Sequence, residues 1–476
     1  MLFEREVLHL SNAIIASPSV APERVPLLRG AAPPPSEQRL FSNSDLRRLI
    51  IPLIIEQILA ISVGMADTMM VSAAGEAAVS GVSLVDMVNV LLINVFAALA
   101  TGGAVVTAQL IGARQQRRAC ESAMQLLLIS VVSSTVIMTL ALSFQRPLLT
   151  LLFGSITYEV MQNCLTYLWL SAVSYPFLAV YNACAALFRA MGNSKVSMNV
   201  SILMNVINVA GNALCVLGLR MGVAGVALPS LVSRAVAAVI MLLLLRNPRN
   251  EVHIAGIPLR VDFGLIRKIL HIGIPNGFES GMFQLGRLLV VSIISMFGTA
   301  QIAANAVANN IDSLGCIPGQ ALGLAMITVV GQCVGAQDRA QVVYYTRKLL
   351  KIAYLLAFLF NAAILAGLPL LLAVYNVSPE ARELATALIW IHNGLAILLW
   401  PLAFILPNAL RAANDVRYTM LVSTASMWTF RIVFSYVLGL WLGLGALGVW
   451  IAMVLDWVCR IVFFLVRYRS GKWMRI

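Results

Sequence analysis

Apolar runs of about 20 residues recur along the whole chain and are separated by short polar segments. A run of this length spans the hydrocarbon core of a bilayer as an α-helix. The pattern predicts twelve transmembrane helices, near residues 49–72, 83–110, 123–144, 163–187, 197–219, 223–245, 271–297, 305–332, 349–374, 385–410, 417–441 and 445–466. The runs are continuous and do not alternate between apolar and polar positions, which argues against a membrane β-barrel.

Composition supports an all-α membrane protein. Of the 476 residues, 60% are hydrophobic and 11% are charged, and the mean hydropathy is +0.89. A soluble chain of this length needs more surface charge. The seven cysteines are scattered without a CxxC pair, and HExxH and GxSxG do not occur. We therefore expect no catalytic residues, no resident metal and no cofactor, so the protein is not expected to be an enzyme.

The basic residues predict the orientation in the membrane. If the chain starts inside, only three of the 33 lysines and arginines fall in outer loops, four fall within spans, and the other 26 lie on the cytoplasmic side. This asymmetry predicts that both termini are cytoplasmic. The net charge of +13 then faces the anionic lipid of the inner leaflet, so a nucleic-acid partner is not needed to explain it.

The chain also repeats itself. Residues 51–113 align without a gap on residues 274–336, an offset of 223, with 13 identical positions in 63. The polar and turn-forming matches include Pro52 with Pro275, Glu56 with Glu279, Gly75 with Gly298, Gln109 with Gln332, and Gly112-Ala113 with Gly335-Ala336. With an offset of 222, Arg189-Ala190 matches Arg411-Ala412. Because each repeat holds six spans, both enter the membrane in the same direction.

This repeat predicts two pseudo-symmetric six-helix lobes related by an axis along the membrane normal, an arrangement that transporters use. We expect five segments: a disordered cytoplasmic tail over 1–45, an N-lobe over 46–246, a linker over 247–270, a C-lobe over 271–466 and a C-terminal tail over 467–476.

Span one carries two acids, Glu56 and Asp67. A carboxylate inside a membrane costs about 3 kcal/mol on insertion scales, and such residues commonly mark ion or proton paths. The 11-residue spacing places both on one helix face, about 16 Å apart along the axis. Asp67 is therefore a candidate ion or cargo site, although a carboxylate that only fixes helix packing is an alternative.

Glu56 and Glu279 occupy matching positions near the predicted cytoplasmic ends of spans one and seven. Two interpretations stay open. The acids could face each other across the cleft and attract cations, or each could pair with a nearby arginine, such as Arg287 for Glu279.

Further polar residues lie within spans. Asp86 and Asn89 on span two mirror Asn309 and Asp312 on span eight, and we interpret these four as lining the cleft. For Arg431 and Asp456, on spans eleven and twelve, we predict a structural salt bridge, because an unpaired buried charge is costly.

Several motifs resemble those of one family. VGMADTMMVSAAGEAAVSGVSL is similar to the first-span signature of the multidrug and toxic compound extrusion (MATE) transporters, with Asp67-Thr68 before a turn at Gly75. The segments GGAVVTAQLIGAR, LFRAMGNSK, VVGQCVGAQ, ALRAANDVR, WTFRIVFSYVL and SGKW fit further family motifs in order. The similarity covers about residues 45–475 and indicates a bacterial type.

The resemblance implies a buried N-lobe site at Asp67, Asn208 and Asn212, which would bind H⁺ or Na⁺ and cargo. The two asparagines are four residues apart and share a helix face. Relatives of the NorM type carry further acids in the C-lobe. The run WIHNGLAILLWPLAFILPNALRA of span ten holds none, which favours a DinF-like type.

The resemblance also implies a secondary active antiporter in the bacterial inner membrane. It would export organic cations or amphipathic compounds in exchange for H⁺ or Na⁺ by alternating access, and we expect a monomer. The main alternative is a flippase for lipid-linked precursors, which would need a basic cavity. A non-transporting membrane sensor and an intramembrane enzyme are less favoured.

Overall fold

The computed structural model describes residues 39–72, 75–154, 156–375 and 377–474, except for the side chains at positions 65, 66, 68, 69 and 72. The tail predicted over 1–45 therefore lies outside the described residues up to position 38, and so does the Thr68 side chain.

Twelve long helices make up most of this part of the chain. They are α1 (Asn43–Ser72), α2 (Glu76–Gly112), α3 (Gln116–Ser143), α4 (Tyr158–Ala190), α5 (Ser194–Gly218), α6 (Ala224–Leu245), α7 (Phe263–Ser295), α8 (Thr299–Gly335), α9 (Arg339–Ala366), α10 (Pro379–Ala412), α11 (Val416–Trp441) and α12 (Gly445–Arg469). Short helices Gln145–Phe153 and Leu368–Ala373 follow α3 and α9. Within the described residues, α2 to α12 are long and apolar enough to cross a bilayer. The all-α membrane fold is confirmed.

The repeat is visible in the turns as well as in the helices. Gly75 and Gly298, which precede α2 and α8, have φ values of 100° and 99°. Residues that carry a side chain rarely adopt this backbone conformation, so glycine is needed at the start of both helices. Arg114 and Gln337, after the same two helices, both have φ 56°. The two halves therefore share backbone conformations in addition to sequence.

Three of the described helices contain wide, π-type turns: α5 over Ala213–Gly218, directly after Asn212, and α10 and α11 in the C-lobe. In α10 the turn covers Pro401–Ile405, and in α11 wide turns cover Met427–Val433 and Tyr436–Trp441. A proline lacks the N–H that would continue the α-helical ladder, which explains the position of the turn in α10. Such turns often occur at functional sites.

The N-lobe (α1 to α6) and the C-lobe (α7 to α12) interlock at one end. We call it the linker end, because it holds the connection over 246–262 together with the start of α1 and the end of α12. Leu46 and Leu49 of α1 are buried in an apolar cluster formed mainly by α8, α9 and α10 of the C-lobe. Their repeat equivalents on α7, Ile269 and Ile272, are buried in a cluster formed by the N-lobe. The first helix of each lobe thus packs into the other lobe.

Candidate functional site

A polar cluster inside the N-lobe joins α1, α5 and α6. Asn212 Nδ2 donates to Asp67 Oδ1 at 2.6 Å and lies 3.3 Å from Asn208 Oδ1. Asn208 Nδ2 in turn donates to Ser230 Oγ of α6 at 2.8 Å. Both asparagines are buried, whereas Asp67 is partly exposed. The structure therefore brings together the three residues that the resemblance implies, and Asp67 is directed into the lobe.

One acceptor in this cluster has no partner. Asn212 Oδ1 is buried and accepts no hydrogen bond within the described part of the chain. A buried acceptor without a donor is costly. Beside the Asp67 carboxylate it can accept from a protonated acid or contact a cation, and hard cations prefer such oxygen ligands. The donor set therefore fits either H⁺ or Na⁺.

A second chain of hydrogen bonds joins α2 to α4. Tyr167 OH and Asn89 Nδ2 both donate to Asp86 Oδ1, at 3.0 and 3.1 Å, and Tyr175 OH donates to Asn89 Oδ1 at 2.8 Å. Sequence reasoning proposed Asp86 and Asn89 but missed the two tyrosines. The available signal was a pair of phenols within span four, since a buried tyrosine hydroxyl usually finds a partner.

A guanidinium lies near both acids of the N-lobe. Arg234 of α6 donates to Ser174 Oγ of α4 at 2.7 Å. Its charge acts on Asp67 and Asp86, and these two carboxylates also act on each other. Two carboxylates and one guanidinium leave this interior with a formal charge of −1 when all three are ionised. The N-lobe interior is therefore negative, but its net charge is smaller in magnitude than the −2 of its two carboxylates.

The matched glutamates are paired within their own lobes. Arg189 Nη1 of α4 lies 3.2 Å from Glu56 Oε1, and Ser197 Oγ donates to Glu56 Oε2 at 3.0 Å. In the C-lobe, Arg411 Nη2 lies 2.6 Å from Glu279 Oε1. The structure thus favours the arginine interpretation, with Arg411 and not Arg287 as the partner. Because both acids are neutralised, they do not form a negative entrance.

The C-lobe breaks the mirrored pattern of α2 and α8. Asp312 Oδ1 lies 2.8 Å from His392 Nδ1 of α10, whereas Asn309 bonds to Asn305. His392 is 2% exposed and its ring lies 4.3 Å from that of Trp457. Its Nε2 has no partner among the described residues. Sequence reasoning missed His392, although a histidine within an apolar span was a usable signal.

Charged residues of α11 and α12 form a buried group. Asp456 accepts from Arg460 Nε at 2.9 Å and from Ser426 Oγ at 2.6 Å, and Arg431 Nε lies 3.6 Å away. The ring of Phe283, on α7, lies 5.4 Å from the Arg431 guanidinium. Asp456 therefore has a second arginine neighbour, Arg460, beside the Arg431 of the predicted salt bridge.

At the linker end, repeat-related residues hold the lobes together. Gln109 Nε2 of α2 donates to Ala412 O at 2.7 Å, and Gln332 Nε2 of α8 donates to Ala190 O at 2.7 Å. A Cβ added to Gly112 would lie 1.9 Å from the carbonyl oxygen of Gln332. Glycine is thus required where the two helix ends meet. Residues that match between the two repeats, Gln109 with Gln332 and Gly112 with Gly335, therefore lie at this contact, which we call the linker-end closure.

Two like-oriented helical lobes that are closed at one end and carry polar clusters in their interiors define a class of membrane transporter. The comparisons with known proteins identify its family. The sequence pattern of the MatE family matches residues 52–214 and 275–437, two segments that again start 223 residues apart. The chain therefore belongs to the MatE family of membrane transporters and is not an enzyme. The resemblance drawn from the motifs is confirmed.

Relatives cover nearly the whole chain. The probable multidrug resistance protein NorM of Thermotoga maritima is 26% identical over 450 residues, covering 92% of this chain and 95% of the relative. The uncharacterized transporter YisQ of Bacillus subtilis is 26% identical over 464 residues, covering 92% and 99%.

Solved structures confirm the two-lobe fold. An outward-facing multidrug resistance MATE transporter superposes with a TM-score of 0.84 at 21% identity, covering 90% of this chain and 96% of that one. A transporter from Pyrococcus furiosus, described as having a binding pocket of reverse polarity, also gives 0.84, at 20% identity over 91% and 96%.

Proposed function

We propose that the protein is a secondary active efflux antiporter of a bacterial plasma membrane. It exports cationic or amphipathic small molecules in exchange for H⁺ or Na⁺, acts as a monomer, and has both termini in the cytoplasm. The names of the NorM relatives, which are probable multidrug resistance proteins, support this cargo class.

The observation that carries the proposal is the Asp67 carboxylate, held at 2.6 Å by Asn212 inside the N-lobe. A carboxylate at this depth is costly and is retained where an ion path needs it. Its partial exposure leaves it accessible to an ion or a cargo, while Asn212 and Asn208 orient it. A group that only fixed packing would not need a buried, unpartnered acceptor beside it.

Alternating access follows from the closure. With the linker end in the cytoplasm, the described conformation is sealed on the cytoplasmic side, and cargo is released to the outside. An external H⁺ or Na⁺ drives this release, because it binds at Asp67, neutralises its negative charge and so lowers the affinity for a cation. Reopening the closure returns the ion to the cytoplasm and admits new cargo. Each net charge moved contributes about 2.3 kcal/mol per 100 mV.

Efflux from proteoliposomes tests the proposal. Proteoliposomes that contain the purified protein are loaded with ethidium as the cationic probe. An inward H⁺ gradient and an inward Na⁺ gradient are imposed in separate runs. Asp67→Asn keeps the volume of the side chain and removes the charge, so we expect at least about tenfold slower coupled efflux, equal to about 1.4 kcal/mol. Glu380→Gln, at an exposed acid at the start of α10, is the matched control.

Each result has a defined meaning. Efflux driven by only one gradient identifies the coupling ion. Equal efflux by Asp67→Asn and Glu380→Gln would remove Asp67 from the mechanism. Movement of a lipid-linked sugar in the same vesicles without efflux of ethidium would instead favour the flippase, whose basic cavity would then involve Arg234 and Arg287.

A further inference from the structure

Arg287 lies in the last third of α7, eight residues before its end at Ser295. Phe283, one turn earlier, contacts the guanidinium groups of Arg431 and Arg460 with its ring, and a Cβ on Gly286 would meet Met427 of α11. This face of α7 therefore points towards α11 and α12. Arg287 is exposed, and its charge acts on Arg431 of α11 and on Cys316 of α8, so its guanidinium lies on the side of α7 that faces these two helices.

This arginine has no counter-ion within the described part of the chain. The nearby carboxylates are already engaged: Asp456 with Arg460 and Arg431, and Asp312 with His392. The ion pairs of the structure do not include Arg287. Its charge does act on Arg431, a like charge. A guanidinium at membrane depth is costly unless it is paired.

The two lobes therefore differ in charge. Three arginines and two aspartates leave the C-lobe interior at +1 with His392 neutral, whereas the N-lobe interior around Asp67 is at −1. The repeat does not require this difference, because the position matched to Arg287 in the N-lobe is Gly64. A simple organic cation would complement the N-lobe only.

We propose that Arg287 is an anion-binding position on the C-lobe wall of the cleft, and that it takes the carboxylate of an amphoteric cargo whose cationic part faces the N-lobe. The planar guanidinium suits a carboxylate, which it can bind through two parallel hydrogen bonds. This inference rests on the proposed efflux function and adds, within its cargo class, a preference for molecules that carry both charges.

A matched pair of dyes tests it. Tetramethylrhodamine carries a cation and a free carboxylate, and its methyl ester carries the cation alone. Binding to protein in nanodiscs is measured by fluorescence anisotropy against empty nanodiscs. We expect the parent to bind the acid about tenfold more tightly than the ester, as for a charged hydrogen bond. Arg287→Gln should abolish this preference and leave the Kd of the ester within about twofold, and Arg287→Lys should retain part of the preference.

The controls separate the possible failures. Arg382→Gln, at an exposed arginine at the start of α10, should behave as the parent does. Equal binding of acid and ester by the parent, or equal weakening of both by Arg287→Gln, would overturn the inference while leaving the efflux proposal intact. Loss of the preference for the acid in nanodiscs of anionic lipid alone would assign Arg287 to a lipid phosphate. Absence of binding by either dye would count against the efflux proposal as well.

Discussion

The linker-end closure allows a quantitative prediction for Gly112→Ala. The added methyl group would lie 1.9 Å from Gln332 O, 2.7 Å from Gln332 C and 2.8 Å from its Cα. Ordinary contacts begin at 3.4 Å, so the end of α8 must retreat by about 1.5 Å. The obstacle is backbone, which cannot rotate away as a flexible side chain can. The substitution therefore acts on the contact between the lobes and not on the interior of one lobe.

The expected cost follows from two terms. Overpacking of a close contact costs about 1–3 kcal/mol. A shift of this size also stretches the 2.7 Å bond from Gln332 to Ala190 O, which is worth about 1 kcal/mol. At the lower end of the sum, about 2 kcal/mol, the ratio of closed to open molecules should fall at least about 30-fold. Gly335→Ala should have the same effect, because its Cβ would lie 1.9 Å from Gln109 O.

Electron–electron distance measurements can detect this shift. Spin labels at Lys195 and Arg417 suit the purpose, because both positions are exposed, lie at the linker end of different lobes and are separated by the repeat offset of 222. The seven native cysteines are replaced beforehand. Gly112→Ala should move the population towards longer distances. Gly394→Ala, where a Cβ meets nothing within 4 Å, is the matched control.

Identical distance distributions for Gly112→Ala and Gly394→Ala would refute this reasoning. A shift by Gly112→Ala without one by Gly335→Ala would show that the closure is not governed by the repeat symmetry.

Two further predictions concern buried pairs in the C-lobe. Glu279→Gln leaves Arg411 without its carboxylate, so the free energy of unfolding, measured by detergent-induced unfolding, should fall by about 3 kcal/mol. Glu121→Gln, which removes an exposed ion pair, should change it by less than about 1 kcal/mol. Equal effects of the two substitutions would contradict the buried ion pair. Because the chain has four histidines, the ¹⁵N signals of His392 can be assigned by comparison with His392→Gln. Nδ1 of His392 should carry a proton, because it faces the Asp312 carboxylate. A His392 ring protonated on Nε2 alone would contradict that contact.

Local pattern predicted the helices better than it predicted their ends. The apolar run of span two starts near residue 83, but α2 starts at Glu76, directly after Gly75. Hydropathy reports only where a helix meets lipid. The backbone conformation of Gly75 decides where α2 begins, so the helix extends beyond its apolar run.

Prediction of the site was uneven for a related reason. The spacing of Asn208 and Asn212 places them on one face of α5 from the sequence alone, because helical periodicity is local. Their contact with Asp67 depended on the family resemblance. The link between Asp312 and His392 was not visible, since it joins positions 80 residues apart through the packing of α8 against α10.

The amino-acid sequence by itself determined that this is a duplicated, twelve-span helical membrane protein with acids inside its first span, because length, hydropathy and repetition are properties of consecutive residues. Only the tertiary structure decided which charges are neutralised. Glu56 and Glu279 are paired with arginines more than 130 residues away, whereas Arg287 is left without a partner among the described residues. Charge compensation depends on which helix faces meet, and that is a property of the packed lobes.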